Sequence, residues 1–154
     1  MPSHFIDIHP KDPQPRLIKQ TVEIIREGGI VVYPTDSSYA LGCHIGDKAA
    51  MERISRIRQT DKHHHFTLVC RDLSEIAKYA RVSNQHYRTL KAFTPGPYTF
   101  ILQATKETPK RLQNLVDAVI DGGNCGMEPT SVIDLEGPAP VILRRGKGEV
   151  SAFE

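Results

Sequence analysis

Apolar residues along this chain fall either into short uninterrupted runs or into stretches with a helical period. The runs are typical of strands, and the periodic stretches are typical of helices with one buried face. The runs predict strands over residues 4–9, 30–33, 66–70 and 98–102, with two more that begin at Thr130 and Val141. The periodic stretches predict four helices: one between Pro15 and Gly28, one that begins after Asp47, one over 73–79 and one over 83–93.

The stretch from Gly28 to Gly42 contains a polar cluster directly after a strand. Residues 30–33 are β-branched or aromatic and uncharged, which predicts a strand buried on both faces, and Pro34 ends it because proline has no N–H for a ladder. Residues 35–39 then bring hydroxyls, a carboxylate and a tyrosine to the strand's C-terminal edge. In open α/β sheets that edge binds ligands, although the same residue types also form ordinary turns.

Residues 34–42, Pro-Thr-Asp-Ser-Ser-Tyr-Ala-Leu-Gly, resemble the Pro-Thr-Asp/Glu-Thr-x-Tyr-Gly-Leu-Gly signature of the YrdC family. The sequence of residues 51–59 resembles the YciO branch of that family more than its other members. Characterised members are threonylcarbamoyl-adenylate synthases that act in tRNA modification. The resemblance implies an α/β fold, a twisted open mixed sheet with flanking helices, formed as a single domain over residues 1–154.

Three further blocks resemble the family in the expected order. Residues 95–102 resemble Pro-Gly-Pro-x-Thr-x-Ile-Leu, residues 129–134 resemble Pro-Ser-Thr-Val-Val-Asp, and residues 141–146 resemble Ile-Leu-Arg-x-Gly. Residues 112–119 resemble a late helix and strand, and residues 121–123 the turn after them. Near Arg111 an internal segment of several dozen residues has no counterpart, so either the protein lacks this segment or the sequence as written omits it.

The resemblance also implies which residues form the site. It assigns threonine binding to four side chains: Thr35, Ser37, Tyr39 and Thr130. It assigns nucleotide binding to four others: Arg58, His64, Ser131 and Arg144. One departure weakens the nucleotide assignment, because Thr60 stands where the family has a second cation, an arginine, and Arg58 stands where it has a lysine. Losing a charge-assisted bond of this kind costs about 1.5 to 3 kcal/mol.

The implied reaction joins threonine and bicarbonate and adenylates the product with ATP, releasing pyrophosphate, with a Mg²⁺ that accompanies ATP. This chemistry needs positioning and charge neutralisation rather than a nucleophilic side chain, so we expect no catalytic residue in that sense. A second hypothesis is a non-catalytic module of the same fold that binds double-stranded RNA or a nucleotide. The substitution at Thr60 and the missing segment favour the second hypothesis.

Charge and cysteine content add little beyond this. The net charge is +2, but residues 1–111 carry 17 basic against 11 acidic side chains and residues 112–154 carry 3 against 7, which is compatible with nucleotide or RNA contacts. The three widely spaced cysteines favour neither disulfides nor a zinc site and indicate a reducing, cytoplasmic setting. Because no apolar stretch approaches the length of a signal region or a membrane span, we expect no membrane partner. The consecutive His63, His64 and His65 point in different directions in any regular element, so we expect no metal there.

Overall fold

A computed structural model describes residues 5–60, 66–108, 117–119 and 128–154. Contacts between Cα atoms divide the chain into two compact units, Met1–Tyr33 with Leu41–Lys62 and Pro34–Ala40 with His63–Glu154. The polar loop of residues 35–38 therefore belongs to the second unit. The single domain predicted from the sequence over residues 1–154 stays a prediction.

The first unit contains the helices α1 (Pro15–Arg26) and α2 (Lys48–Ile57). Both follow the predicted pattern. Helix α2 begins as predicted, since the Asp47 side chain accepts a hydrogen bond of 2.9 Å from the Ala50 N–H. Ala50, Met51 and Ile54 form its buried stripe, whereas Ile57, which has the same helical spacing, is 58% exposed at the helix end.

The strand that precedes the polar loop is β1 (Val31–Pro34), and it pairs with β2 (Tyr39–Gly42) in a two-stranded sheet. The prediction that this strand is buried on both faces is wrong, because Val32 is 66% exposed. Successive side chains of a strand point to opposite faces. A ribbon of two strands can keep one of those faces in solvent, as an antiparallel sheet often does.

The opening segment is also different from its prediction. Residues 5–9 form no strand, so the strand expected over residues 4–9 is wrong in the described part, and His4 lies outside the described residues. Ile6 and Ile8 are half-buried and alternate with exposed neighbours, as a strand pattern requires. The backbone nevertheless joins no sheet ladder among the described strands, and Phe5 is 98% exposed.

The second unit contains a five-stranded sheet with the strand order β3-β5-β4-β6-β7. Its strands are β3 (Thr67–Val69), β4 (Tyr98–Ile101), β5 (Asp117–Val119), β6 (Ser131–Asp134) and β7 (Val141–Arg144). The pairs β3–β5 and β4–β6 are parallel, and the pairs β4–β5 and β6–β7 are antiparallel. The predicted mixed sheet is confirmed. Of the late helix and turn predicted from the resemblance, residues 112–116 and 121–123 lie outside the described residues.

Two helices of the second unit begin at caps that the sequence contains. Helix α3 (Leu73–Tyr79) is capped by Asp72, and helix α4 (Asn84–Phe93) is capped by Ser83, whose hydroxyl oxygen accepts from the His86 N–H. Both helices match their predictions. An aromatic cluster joins α4 to β4 and to the 3₁₀ turn Ser151–Phe153; its members are Phe93, Tyr98, Phe100 and Phe153.

The two helices of the first unit end in the same way, one with glycine and one with glutamine. After α1, the Gly29 N–H donates to the Ile24 carbonyl oxygen and the Gly28 N–H to that of Ile25, with Gly28 at φ +81°. After α2, the Thr60 N–H donates to the Ser55 carbonyl oxygen and the Gln59 N–H to that of Arg56, with Gln59 at φ +52°. Both ends are Schellman motifs, whose left-handed position favours glycine.

We therefore expect Gln59→Gly to stabilise the protein by about 0.5 to 1 kcal/mol. The substitution removes the steric cost of a left-handed non-glycine residue, of roughly 1–2 kcal/mol, and part of that gain is lost to the greater backbone entropy of glycine. Urea unfolding of the two proteins measures the difference.

Gly28→Ala is the matched control at the other helix end. It should destabilise the protein by about 1 kcal/mol or more, because it introduces the same strain and brings a Cβ to 3.0 Å from Asp47 Oδ2. Equal stability of Gln59→Gly and the parent chain would contradict the assignment of strain to Gln59.

Candidate active site

Buried polar side chains are concentrated in one part of the second unit. Of the six buried polar residues in the described part of the chain, five lie on the 35–38 loop, on β4 or at the start of β6. They are Asp36, Ser37, Thr99, Thr130 and Ser131. Burying a hydroxyl or a carboxylate is costly unless it is hydrogen-bonded. We therefore expect these side chains either to be hydrogen-bonded within the protein or to bind a ligand.

The 35–38 loop is held by one threonine side chain. Thr35 Oγ1 donates to the Ser38 carbonyl oxygen at 2.6 Å and accepts from the N–H groups of Ser37 and Ser38 at 3.2 and 3.1 Å. The Thr35 N–H also donates to the Ser38 carbonyl oxygen at 2.9 Å. Thr35 therefore shapes the loop, as a turn residue does.

Ser37 is the loop hydroxyl that Thr35 positions. Its Oγ lies 3.2 Å from Thr35 Oγ1, and the residue is 5% exposed. Because the single hydroxyl hydrogen of Thr35 goes to the Ser38 carbonyl oxygen, Thr35 does not donate to Ser37, whose oxygen therefore keeps acceptor capacity. The role of Thr35 in threonine binding stays a prediction. The observed contacts of the Thr35 hydroxyl position Ser37.

Thr130 stands at the start of β6 in a network of three residues. Its Oγ1 lies 2.8 Å from Thr99 Oγ1 on the neighbouring strand and accepts from Arg144 Nη2 at 3.1 Å. Arg144 Nε also donates to the Thr130 carbonyl oxygen at 3.0 Å. A hydroxyl has one hydrogen and two lone pairs, so Thr130 keeps one hydrogen-bonding position for a ligand, whichever threonine donates to the other.

Arg144 combines this structural role with spare donors. A guanidinium has five N–H donors, and Thr130 uses two of them. The residue is exposed, so the remaining donors can reach an anion in solvent. A planar fork of this kind suits a phosphate or a carboxylate.

Ser131 is fully buried, and its hydroxyl is committed within the protein. It donates to the Gly148 carbonyl oxygen at 2.6 Å and accepts from the Gly146 N–H at 3.0 Å. Both contacts fix residues 144–148, the segment that carries Arg144. The predicted contact between Ser131 and the nucleotide stays a prediction. The observed hydrogen bonds of the Ser131 hydroxyl stabilise the neighbouring backbone of residues 146–148.

Three sequence candidates remain, Tyr39, Arg58 and His64. Tyr39 is 69% exposed at the first position of β2. Arg58 is the C-cap residue of α2 in the first unit. His64 lies outside the described residues, as do its two histidine neighbours. The assigned roles of these side chains stay predictions.

Thr99 is the residue that the sequence interpretation missed. The sequence predicts a strand over residues 98–102 and assigns its threonine no role in the site. The structure places Thr99 in parallel register with Val132, one strand away from Thr130. The available signal is a hydroxyl within the otherwise apolar run of residues 98–102, which predicts a partner on the adjacent strand.

The two described cysteines are poor nucleophiles. Burial, with Glu75 and Asp72 nearby, raises the pKa of Cys70 to about 11. Burial and the neighbouring Asp47 also raise the pKa of the Cys43 thiol. Because the thiolate is the reactive form, neither position favours covalent chemistry at neutral pH.

The described residues contain no group of three or more His, Cys, Asp or Glu side chains arranged to hold a metal ion. Within the same part of the chain, no helix is both long enough and apolar enough to cross a membrane.

Together, the mixed α/β sheet and the cluster of hydroxyls with an arginine beside β4 and β6 form a candidate site for a small polar ligand. A family model for Sua5, YciO and YrdC proteins, described as "Telomere recombination", matches residues 23–114. The chain belongs to this family, which confirms the resemblance found in the sequence. The matched stretch ends close to Arg111.

The chain is 43% identical to the uncharacterized protein YciO of Escherichia coli, over 98% of this chain and 99% of that protein. The crystal structure of Escherichia coli YciO superposes with a TM-score of 0.87 and covers 99% of this chain and 100% of that one. The sequence alignment spans 204 positions, whereas this chain has 154 residues. At least fifty positions, the difference between these two lengths, therefore have no residue here, which agrees with the predicted missing segment.

More distant relatives include enzymes. The threonylcarbamoyl-AMP synthase of Chromobacterium violaceum is 31% identical over 68% of this chain and 54% of its own length. The crystal structure of P. abyssi Sua5 complexed with L-threonine has a TM-score of 0.75 at 20% identity and covers 88% of this chain and 56% of that one. The second likeness confirms the fold.

The Thr99–Thr130 pair makes a prediction about stability. Thr130→Val should cost about 1–3 kcal/mol, because it leaves the buried Thr99 hydroxyl without its partner, and Thr99→Val should cost about 1 kcal/mol. The double variant should cost clearly less than the sum, since removing both hydroxyls leaves neither unsatisfied. Urea unfolding of the four proteins gives the coupling energy, and additivity within about 0.3 kcal/mol would contradict the pairing.

Proposed function

We propose that this chain binds L-threonine at Ser37 and Thr130 and acts as a threonylcarbamoyl-adenylate synthase, supplying an intermediate for tRNA modification. The observation that carries the proposal is the Thr130–Arg144 pair, a hydroxyl with one unused hydrogen-bonding position beside a guanidinium with spare donors. Sequence relationship to a threonylcarbamoyl-AMP synthase supports the choice of reaction. A cytoplasmic location is part of the proposal.

In the proposed reaction, the threonine amine attacks bicarbonate to give a carbamate and water. A carbamate oxygen then attacks the α-phosphorus of ATP, and pyrophosphate leaves. Every reacting atom comes from the substrates, so the protein has to position them and neutralise charge. Ser37 and Thr130 would bind threonine, while Arg144 would hold Thr130 and neutralise phosphate; Arg58, His64 and Tyr39 are further candidates.

Mg²⁺ fits this scheme as a companion of ATP. Magnesium is commonly held by substrate phosphates with one or two carboxylates. The described residues contain no cluster of three potential ligands, so they suit an ion that the nucleotide brings rather than one that the protein holds alone. Asp36 is the carboxylate nearest in sequence to Ser37 that could contact such an ion.

A second candidate function is RNA binding without synthesis. Two observations favour it: Thr60 in place of the family's second cation, and the positions of YciO that have no counterpart here. The described Thr60 hydroxyl faces the Ser55 carbonyl oxygen at 3.5 Å and brings no charge. The net charge of +6 over residues 1–111, from 17 basic and 11 acidic side chains, would attract RNA phosphates.

The pyrophosphate assay tests the proposed reaction. The purified chain is supplied with ATP, Mg²⁺, threonine and bicarbonate, and we expect pyrophosphate release that depends on both threonine and bicarbonate. Arg144→Met should raise the KM for threonine about tenfold or more, because it removes two charge-assisted hydrogen bonds from Thr130.

Arg145→Met is the matched control, one residue away. Arg145 forms an exposed ion pair with Glu154 at 2.7 Å, a contact worth about 0–1 kcal/mol, so its removal should leave the KM unchanged. Pyrophosphate at background level with all substrates present would refute the synthase proposal. RNA affinity that falls steeply with salt would then support the second candidate.

A further inference from the structure

Lys147 makes two hydrogen bonds that connect the two candidate threonine-binding segments. Its side-chain Nζ donates to the Asp36 carbonyl oxygen at 2.6 Å. Its backbone N–H donates to the Pro129 carbonyl oxygen at 2.8 Å. Asp36 immediately precedes Ser37, and Pro129 immediately precedes Thr130, so one residue binds the chain next to each candidate hydroxyl.

The backbone around Lys147 is held in place on both sides. A Cβ at Gly146 would overlap the Pro129 carbonyl oxygen, and a Cβ at Gly148 would come within 2.5 Å of the Tyr98 ring. The Ser131 hydroxyl binds both of these glycines. Lys147 therefore extends from a segment that is packed against the start of β6, and its side chain reaches the loop from a fixed base.

The bond from Lys147 connects the 35–38 loop to a distant segment of the chain. The hydrogen bonds described for the loop backbone and for the Thr35 and Ser37 side chains stay within residues 35–38, apart from the bond to Lys147. A bond from an ammonium group is stronger than a neutral one. The bond also brings the positive charge of Lys147 to Asp36, an acidic residue that is only 6% exposed.

We propose that Lys147 is a positioning residue that fixes the 35–38 loop against the start of β6, and thereby sets the separation between the Ser37 and Thr130 hydroxyls. The effect of Lys147 on threonine binding rests on the function proposed above, whereas its effect on the position of the loop does not depend on that function. The two effects can therefore be measured separately.

The experiment measures amide hydrogen exchange at Ser37 and Ser38 in three variants of the full chain. Lys147→Met removes the ammonium group and keeps a side chain of similar length, and Lys147→Arg restores a cation. Lys106→Met, an exposed lysine in a turn of the same unit, is the control. Lys147→Met should speed exchange about tenfold or more, because loop opening no longer breaks a charged hydrogen bond.

Exchange in Lys147→Arg should be closer to that of the parent chain, and exchange in Lys106→Met should equal it. Unchanged exchange in Lys147→Met, or an equal increase in the control, would overturn the proposal. Calorimetric titration with L-threonine is the second measurement, and we expect a Kd about tenfold higher in Lys147→Met alone. If the parent chain binds no threonine, the proposed function fails while the exchange data still decide the role of Lys147.

Discussion

Hydrogen bonding between residues 129–131 and residues 144–148 is the constraint on which the candidate site depends. Five bonds connect these segments: two from Arg144 to Thr130, two that involve the Ser131 hydroxyl, and one from the Lys147 N–H to Pro129. They provide partners for the buried Thr130 and Ser131 hydroxyls, and Thr130 in turn is the partner of the buried Thr99 hydroxyl, so that these groups are buried without a large desolvation penalty. The same bonds fix two cations beside the hydroxyls.

In this arrangement, the hydroxyl groups that hold the site together are different from those that remain available to a ligand. Ser131 and Thr35 use their hydroxyl groups within the protein. Thr35 positions Ser37, and Ser131 fixes the segment from which Arg144 binds Thr130; Ser37 and Thr130 retain unused hydrogen-bonding capacity. A site of this kind is preorganised, because the positioning bonds are already formed before a ligand arrives. Such preorganisation is what a reaction between substrate atoms requires from a protein that supplies no nucleophile.

Local sequence signals predicted much of the fold. Caps at Asp47 and Ser83 located helix starts, and Gly28 located a helix end, because each acts through contacts within a few residues. The sequence interpretation failed where the burial of a strand depends on its partners. The apolar run over residues 30–33 contributes a strand to a two-stranded sheet with one exposed face, and residues 5–9 pair with none of the described strands. The pairing of Thr99 with Thr130 spans 31 residues, so the local pattern indicates that the Thr99 hydroxyl needs a partner but not which residue supplies it.

A titration of the isotopically labelled chain with L-threonine, followed through backbone amide resonances, tests the central claim most directly. The account predicts saturable shifts at Ser37, Thr130 and Arg144, and smaller or absent shifts for L-valine, which has threonine's shape but lacks its hydroxyl. Equal shifts with valine would show that the hydroxyl cluster does not recognise threonine. The account would be contradicted outright if the amides of these residues did not respond to saturating threonine.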